Sequence, residues 1–562
     1  MADDKRDEAA IIPLSRYRAQ LSRGRTRKRA DEILDHPDPA QLVPTLSVQD
    51  LYYAISEVGL ASALDLLALA TPAQVRGFID LDAWERDHFL EDKAAPWLDA
   101  LLDLGPAALL KAVAGLDTEV VALFIQRQAR VYDLEQEAPP EQPEGHYYPT
   151  PDTFYILDVL GASEDGKRLE RFIDWLYRAD LHFARRAVMA AKWELPSDLE
   201  EHAYRWRAGR MSDLGYVDYY EALEIYRYLD PGAVKPDEHS AEVAGVGASL
   251  PAELLAQVGE ASFLGRTLAR IGDAAELERL GGALLLVMNR VLSADRIDAA
   301  DLAGAREAMR RTAAGIGLGL ELLGRGDPQR AADIAGEVAL ARIFRVGFSL
   351  TLKLQRAAEA LVRDAWVSLT PGSATLLPPA MAELVAAVRR SRPMRPVPDA
   401  DGAIHEGGAV EPFTTLAEVA AAARTLEEAA HLGETVRRGL GVDPRLLTAE
   451  ARAGVRPPLD AIRFTTIVAT LIGNRLLDRP ALLVPLSPAD VTQLVERALE
   501  GGALRPVARQ LATQALAGRL AEREFPEPPG WAGWVDGWLA HLEEALQLAA
   551  QHPEAANLLV RA

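Results

Sequence analysis

The 562-residue chain contains no cysteine. Disulfides, thiol catalysis, iron–sulfur clusters and cysteine-ligated zinc are therefore excluded. Aromatic residues make up only 6% of the chain, so its core has to be built mainly from Leu, Ala, Val and Ile. Positive charge is in deficit: 61 Lys and Arg stand against 83 Asp and Glu, a net charge of −22. A surface of that sign repels nucleic acid and anionic lipid overall. No apolar run approaches the ~18 residues of a membrane span. The stretch "ALLLVM" (residues 283–288) is stopped by Asn289 and Arg290. Alternating Val/Ile/Thr runs of strand length are scarce, and nothing reads as a sheet. The histidines form no H-x-x-x-H pair, and G-x-S-x-G does not occur, so metalloprotease and serine-hydrolase readings have no foothold. The first residues lack the basic-then-apolar order of a signal peptide. These absences predict a cytoplasmic protein with no membrane insertion, no nucleic-acid partner, no cofactor and no metal site.

What is present is helical rhythm. Leu109, Val113, Leu116, Val120 and Leu123 step by four, three, four and three. That is the stripe of an amphipathic helix. "LSVQDL", "ATPAQV" and "LGPAAL" each place a Ser, Thr or Gly before a first turn, and Pro72 and Pro106 suit the first helical position. Helix starts recur about every 24 to 34 residues, as in helical repeats. The predicted fold is all-α, with stacked helix pairs in a solenoid-like, helical-repeat architecture joined by Pro/Gly-rich linkers. The linkers divide it into a basic segment (1–40), a helical-repeat domain (41–134), and helical domains at 152–230, 251–390 and 413–562. Stacked repeats present long surfaces that bind partners.

The head, residues 15–34, is basic: Arg16, Arg18, Arg23, Arg25, Arg27, Lys28 and Arg29 crowd into it. A nucleic-acid arm is one reading. The overall charge favours a solvated helix, or a strip docked on the protein's own acidic surface.

Four stretches invite chemistry. "GASEDGKR" (residues 161–168) fits G-x-x-x-x-G-K, but Arg168 stands where a P-loop needs the hydroxyl that holds magnesium. A turn between two helices is expected there, with "PDTFYILDVL" (151–160) as the helix before it. "GIGLGLELLG" (315–324) has alternating glycines inside a helical pattern, which suits close helix packing. "IDLDAWERDHFLED" (79–92) gathers acids and His88; helix caps and a solvated helix face account for it better than a cation site.

The fourth stretch is the densest. "EEHAYRWRAGRMSDLGYVDYYEALEIYRYLDP" (200–231) holds Arg205, Arg207, Arg210, Asp213, Glu221, Glu224 and Tyr226. Asp218 and Glu221 read as a capping box. Capping leaves the arginines unexplained. Buried, they must pair, with Glu201, Asp213, Glu221 or Glu224 as the expected partners. Exposed in a cleft, they would form an anion site. Both readings stand at this point, and no catalytic residue is assigned.

This stretch, "MNRVLSADRIDAADL" (288–302) with "FRVGFSL" (344–350), and "RPPLDAIRFTTI" (456–467) resemble a family of large bacterial proteins of unknown function. The resemblance covers most of the chain from about residue 40. It implies no catalytic residues. Separately, residues 46–124 resemble, in "LSVQDL" and "LGPAALLKAVAGL", the helical superhelix domain of MgtE-type magnesium channels. With no spanning segment beside it, that likeness implies helix stacking and not transport. The expected function is that of a soluble scaffold or adaptor with a protein partner. The alternative is an enzyme or ligand-binding protein that takes an anionic small molecule at the Arg205–Tyr226 cluster.

Overall fold

The structure, a computed structural model, describes residues 28–160, 163–235, 250–363, 367–369, 374–443, 454–458, 460–552 and 557–561. It is mostly helical, with 64% helix and a few short strands. Two compact units divide the chain, Met1–Phe348 and Ser349–Ala562. Arg16, Arg18, Arg23, Arg25 and Arg27 lie outside the described residues.

The first unit opens with α1 (Arg29–Leu34), α2 (Val48–Val58) and α3 (Pro72–Asp82). Ser47 caps α2 by accepting from the Asp50 amide. Thr71 and Gln74 satisfy one another's backbone amides in a capping box, and Pro72 takes the first helical position of α3. The acid-rich stretch that follows is not one helix face. Between α3 and α4 (Glu91–Leu104), β1 (Trp84–Glu85) and β2 (His88–Phe89) form a small antiparallel hairpin. Arg86 sits at φ 59° in its turn. The reason is local: Trp84 and Phe89 bury their rings against each other at 5.4 Å, which a continuous helix would not allow. Helices α5 (Pro106–Val113) and α6 (Thr118–Gln128) complete this part.

Next comes a sheet that the sequence did not announce. Strands β3 (Ala129–Asp133), β4 (His146–Pro149) and β5 (Tyr155–Val159) pair antiparallel in the order β3–β5–β4. "FYILDVL", expected as a helix, is the central strand. Its β-branched and aromatic residues suit a pleated surface. Val131, Leu157 and Val159 supply its buried side. Its pairing with β3 joins residues as far apart as Ala129 and Val159, so local periodicity could not show it. Buried Asp158 accepts from the amides of Glu144 and Gly145 at 2.8 and 2.9 Å and so fixes the entry to β4. A side chain at Gly145 would fall 1.7 Å from the Val159 carbonyl oxygen, so only glycine fits.

Helices α7 (Ser163–Ala179), α8 (Leu181–Trp193) and α9 (Pro196–Asp213) follow. The "GASEDGKR" stretch is therefore not a helix–helix turn. Gly161 and Ala162 lie outside the described residues, and Lys167 and Arg168 lie on α7. Arg168 pairs with Asp99 at 2.6 Å. The preceding strand is the centre of an antiparallel sheet, whereas nucleotide loops of this pattern serve parallel sheets.

After α9 come the single turn α10 (Tyr219–Ala222), α11 (Phe263–Leu268), α12 (Ala274–Asp295), α13 (Leu302–Leu323), α14 (Pro328–Glu337) and α15 (Leu340–Arg363). The alternating glycines lie inside α13. A Cβ at Gly319 would come 2.1 Å from the Ile343 carbonyl oxygen, and one at Gly347 would come 1.9 Å from that of Gly315. The backbones of α13 and α15 touch because these side chains are missing.

The second unit centres on α18 (Phe464–Leu476), introduced after α16 (Pro379–Val388) and α17 (Leu416–Glu434). "FTTIVATLIGNRL" is apolar all round and is buried nearly all round, the mark of a central helix. Its polar residues are used inside: Thr470 Oγ1 donates to the Thr466 carbonyl and accepts from the Leu559 amide at 2.9 Å. Helices α19 (Pro488–Ala498), α20 (Pro506–Glu522) and α21 (Trp531–Gln551) surround it.

Candidate functional site

Helix α9 carries the arginines and ends in a Schellman closure. The Gly215 amide bonds the Ser212 carbonyl, the Tyr216 amide bonds that of Met211, and Gly215 takes φ 87°. The reversal is tight against α12: a Cβ at Gly215 would stand 2.8 Å from the Cα of Leu286. It delivers Tyr216 to a buried polar group. Gln49 Nε2 donates to the Tyr216 hydroxyl at 2.9 Å and to Asn289 Oδ1 at 3.2 Å, and Asn289 Nδ2 returns a bond to Gln49 Oε1 at 3.0 Å. Asn289 also donates to the Leu214 carbonyl, and Tyr53 donates to that of Ala299. Burial pushes the Tyr53 hydroxyl up to about 12 and Tyr216 well above its ordinary value, so both remain proton donors. This network ties α2, α12 and the reversal together.

The arginines divide. Arg205 is exposed and pairs with Glu201 one turn earlier on α9. Arg210 turns inward and holds two carboxylates. Its Nε and Nη2 donate to Asp80 at 2.6 and 2.8 Å, and Nη2 and Nη1 donate to Asp117 at 2.6 and 3.4 Å. Asp80 is the last but two of α3 and is buried; Asp117 precedes α6, where the helix N-terminus favours a negative charge. Burial alone would lower the pKa of Arg210, but the bonds to Asp80 and then Asp117 outweigh it and hold the value above the ordinary one.

Of the expected partners, Glu201 alone pairs with one of these arginines, and it does so on the surface. None of Asp213, Glu221 or Glu224 pairs with these arginines. Asp213 and Glu221 are exposed, and Glu224 binds Arg227 at 3.2 Å on the surface. The capping box is corrected too: Asp218 accepts from the Tyr220 amide, and the turn at α10 passes at once into a 3-10 segment, Leu223–Tyr226. Tyr226 belongs to another group, donating to Asp295 at 3.0 Å, and Asp295 also pairs with Arg311 at 2.6 Å. The partners that bind Arg210 are 93 and 130 residues away in sequence.

Arg207 is different again. Its Nε donates to the Asp80 carbonyl oxygen at 2.7 Å, and its guanidinium lies 5.4 Å from the centre of the Trp84 ring. Tyr204 stands 6.2 Å from that ring. No carboxylate among the described residues forms an ion pair with Arg207. Burial lowers its pKa, and the nearby Asp80 does not restore it.

Residues 5–559 match a single protein family. The chain belongs to the family of unknown function DUF6178. No curated protein and no solved structure matches it. Membership of a family without an assigned function is thereby met over nearly the whole chain, and the family assigns no role to any site residue.

Asp80, Asp117, Trp84, Gln49 and Asn289 were not among the expected site residues. One signal was available: Asp80 stands between Ile79 and Leu81 in an apolar stripe, where a carboxylate requires a partner. Among the described residues, no group of three or more His, Asp and Glu is placed to hold a metal ion. No described helix is long and apolar enough to cross a membrane.

Proposed function

We propose that the protein is a cytoplasmic scaffold or adaptor whose stacked helices bind a protein partner. The observation that carries this reading is the outer face of α8. His182, Arg186, Met189 and Trp193 follow one another at steps of four, three and four, and all are exposed. Met189 is 48% exposed and Trp193 52%, and Leu195, just beyond the helix, is 63% exposed. Phe154 adds a further exposed ring beside Arg185, whose guanidinium lies 4.5 Å from its centre. Single exposed apolar residues are ordinary, but a run of large ones on one helix face marks an interaction surface. Of the three basic side chains of the helix, Arg185 and Lys192 pair with Asp152 and Glu137, and Arg186, which forms no ion pair among the described residues, stands on the exposed face beside His182. A cation of this kind beside exposed Met189 and Trp193 suits a partner segment that carries an acid next to apolar side chains, and it supports a role in recognition. Helical repeats would give such a face the length that a scaffold uses. The likeness of residues 46–124 to the MgtE-type superhelix supports stacking of this kind.

The test is photo-crosslinking from position 189 in cells. A defined adduct should form there and disappear when Trp193 is replaced by Glu, while the melting temperature stays within 1–2 °C of wild type, as for surface changes of this kind. If position 189 yields no adduct beyond that from an exposed polar control such as Glu500, the scaffold reading fails.

A further inference from the structure

The chain has no cysteine, so its seven methionines hold all of its sulfur and no thiol takes an oxidant ahead of them. Thioethers are oxidised according to their exposure. Met211, Met288 and Met309 are buried on the packed faces of α9, α12 and α13. Met381 and Met394 are half-buried, and Met1 lies outside the described residues. Among the described methionines Met189 alone is exposed, at 48%. It stands in the middle of the α8 row, three residues after Arg186 and four before Trp193, so the three meet on one helix face. The Trp193 ring is propped there by Lys192, whose ammonium lies 5.3 Å from the ring centre and which pairs with Glu137. Arg186, its guanidinium 5.9 Å from the Phe183 ring centre, forms no ion pair among the described residues. The thioether therefore joins the cationic half of the face to its apolar half. A partner that covers Trp193 and pairs with Arg186 has to lie across it.

We propose that Met189 is a modification site: a hydroperoxide oxidises its thioether to the sulfoxide, and the sulfoxide weakens partner binding at the α8 face. The inference rests on the scaffold reading and adds regulation to it. A sulfur lone pair attacks the outer peroxide oxygen, an S–O bond forms and the O–O bond breaks. The proton passes from the transferred oxygen to the departing one, which leaves as water or an alcohol; sulfur is oxidised and the peroxide reduced. The sulfoxide is polar where the thioether was apolar, so covering it with a partner's apolar side chains costs desolvation. Its oxygen is also an acceptor one turn from Arg186 and competes with the partner's acid for that guanidinium. The side chain lies on the surface, so the fold is left as it was. Sulfoxides are reduced enzymatically, which makes the change a switch.

Full-length protein with a photo-crosslinking residue at position 182 is treated with hydrogen peroxide, freed of it and divided between two readouts. Peptide mass mapping should show the added oxygen on Met189 before Met381 or Met394. After return to cell extract and irradiation, the adduct should fall by about tenfold, the effect of losing one apolar side chain from an interface. Methionine sulfoxide reductases should restore it, and the melting temperature should not move. Met189→Gln should give the oxidised level without peroxide. Met189→Leu removes the thioether, and its adduct should be the same before and after treatment. Earlier oxidation of Met381 or Met394, an adduct unchanged by full oxidation of Met189, a Met189→Leu adduct that peroxide also removes, or a melting transition that falls with the adduct would each overturn the proposal. No adduct from the untreated chain would instead overturn the scaffold reading, and the switch with it.

Discussion

Arg210 holds Asp80 through two hydrogen bonds, from Nε at 2.6 Å and from Nη2 at 2.8 Å, across 130 residues of chain. The same guanidinium holds Asp117, so one side chain of α9 fixes both the end of α3 and the start of α6. Removing it would leave the buried Asp80 carboxylate without a charged partner. Arg210→Ala should therefore cost about 3–5 kcal/mol, read by urea or thermal unfolding. Arg205→Ala, whose partner Glu201 is on the surface, should cost less than about 1 kcal/mol. Equal melting of the two variants would refute this assignment.

The amide pair Gln49–Asn289 makes a second prediction. Asn289→Ala removes the partner of a fully buried amide and of the Leu214 carbonyl, and it should cost about 1–3 kcal/mol. In a double-mutant cycle with Gln49→Ala, the two effects should be coupled by at least about 0.5 kcal/mol. Additive effects would mean that the two amides act separately.

The glycines of α13 separate by position. Gly319→Ala places a methyl carbon 2.1 Å from the Ile343 carbonyl and should destabilise by about 1–3 kcal/mol. At Gly317 the nearest atom to the new Cβ is 3.8 Å away, so Gly317→Ala should be neutral or stabilise by up to about 1 kcal/mol through helix propensity. The ordering of the two melting temperatures checks the close approach of α13 and α15.

Acid stability depends in part on Asp490. Two bonds from Arg479, at 2.6 and 3.1 Å, hold its carboxyl down to about 2, opposed by burial and helped by the Ser487 amide. Because the folded value lies below the unfolded one, the stabilisation is complete above about pH 4 and is lost as pH falls through about 2. The Arg479 side chain is 43% exposed, so after solvent screening the pair is worth about 1 kcal/mol or less. Asp490→Asn should lose that amount at neutral pH and should show a flatter fall of stability between pH 4 and 2 than wild type.

Much of the helical character was determined by sequence alone, because an amphipathic stripe and a cap are local. Thr71, Gln74 and Pro72 begin α3 as their types require. The charge of −22, the lack of cysteine and the absence of a long apolar run are likewise properties of composition. Tertiary structure decided what depends on distant residues. "FYILDVL" carries an apolar pattern that a helix or a strand can use. It became a strand because residues 129–133 and 146–149 offered edges to pair with. The arginines near residue 207 needed acids, and their own segment contained several. The carboxylates that took Arg210 were instead Asp80 and Asp117, because the packing of α9 against α6 buries those two and leaves Asp213, Glu221 and Glu224 in water. A charge pairs inside the protein with whatever the fold brings beside it, since the gain from pairing is large only where water is excluded.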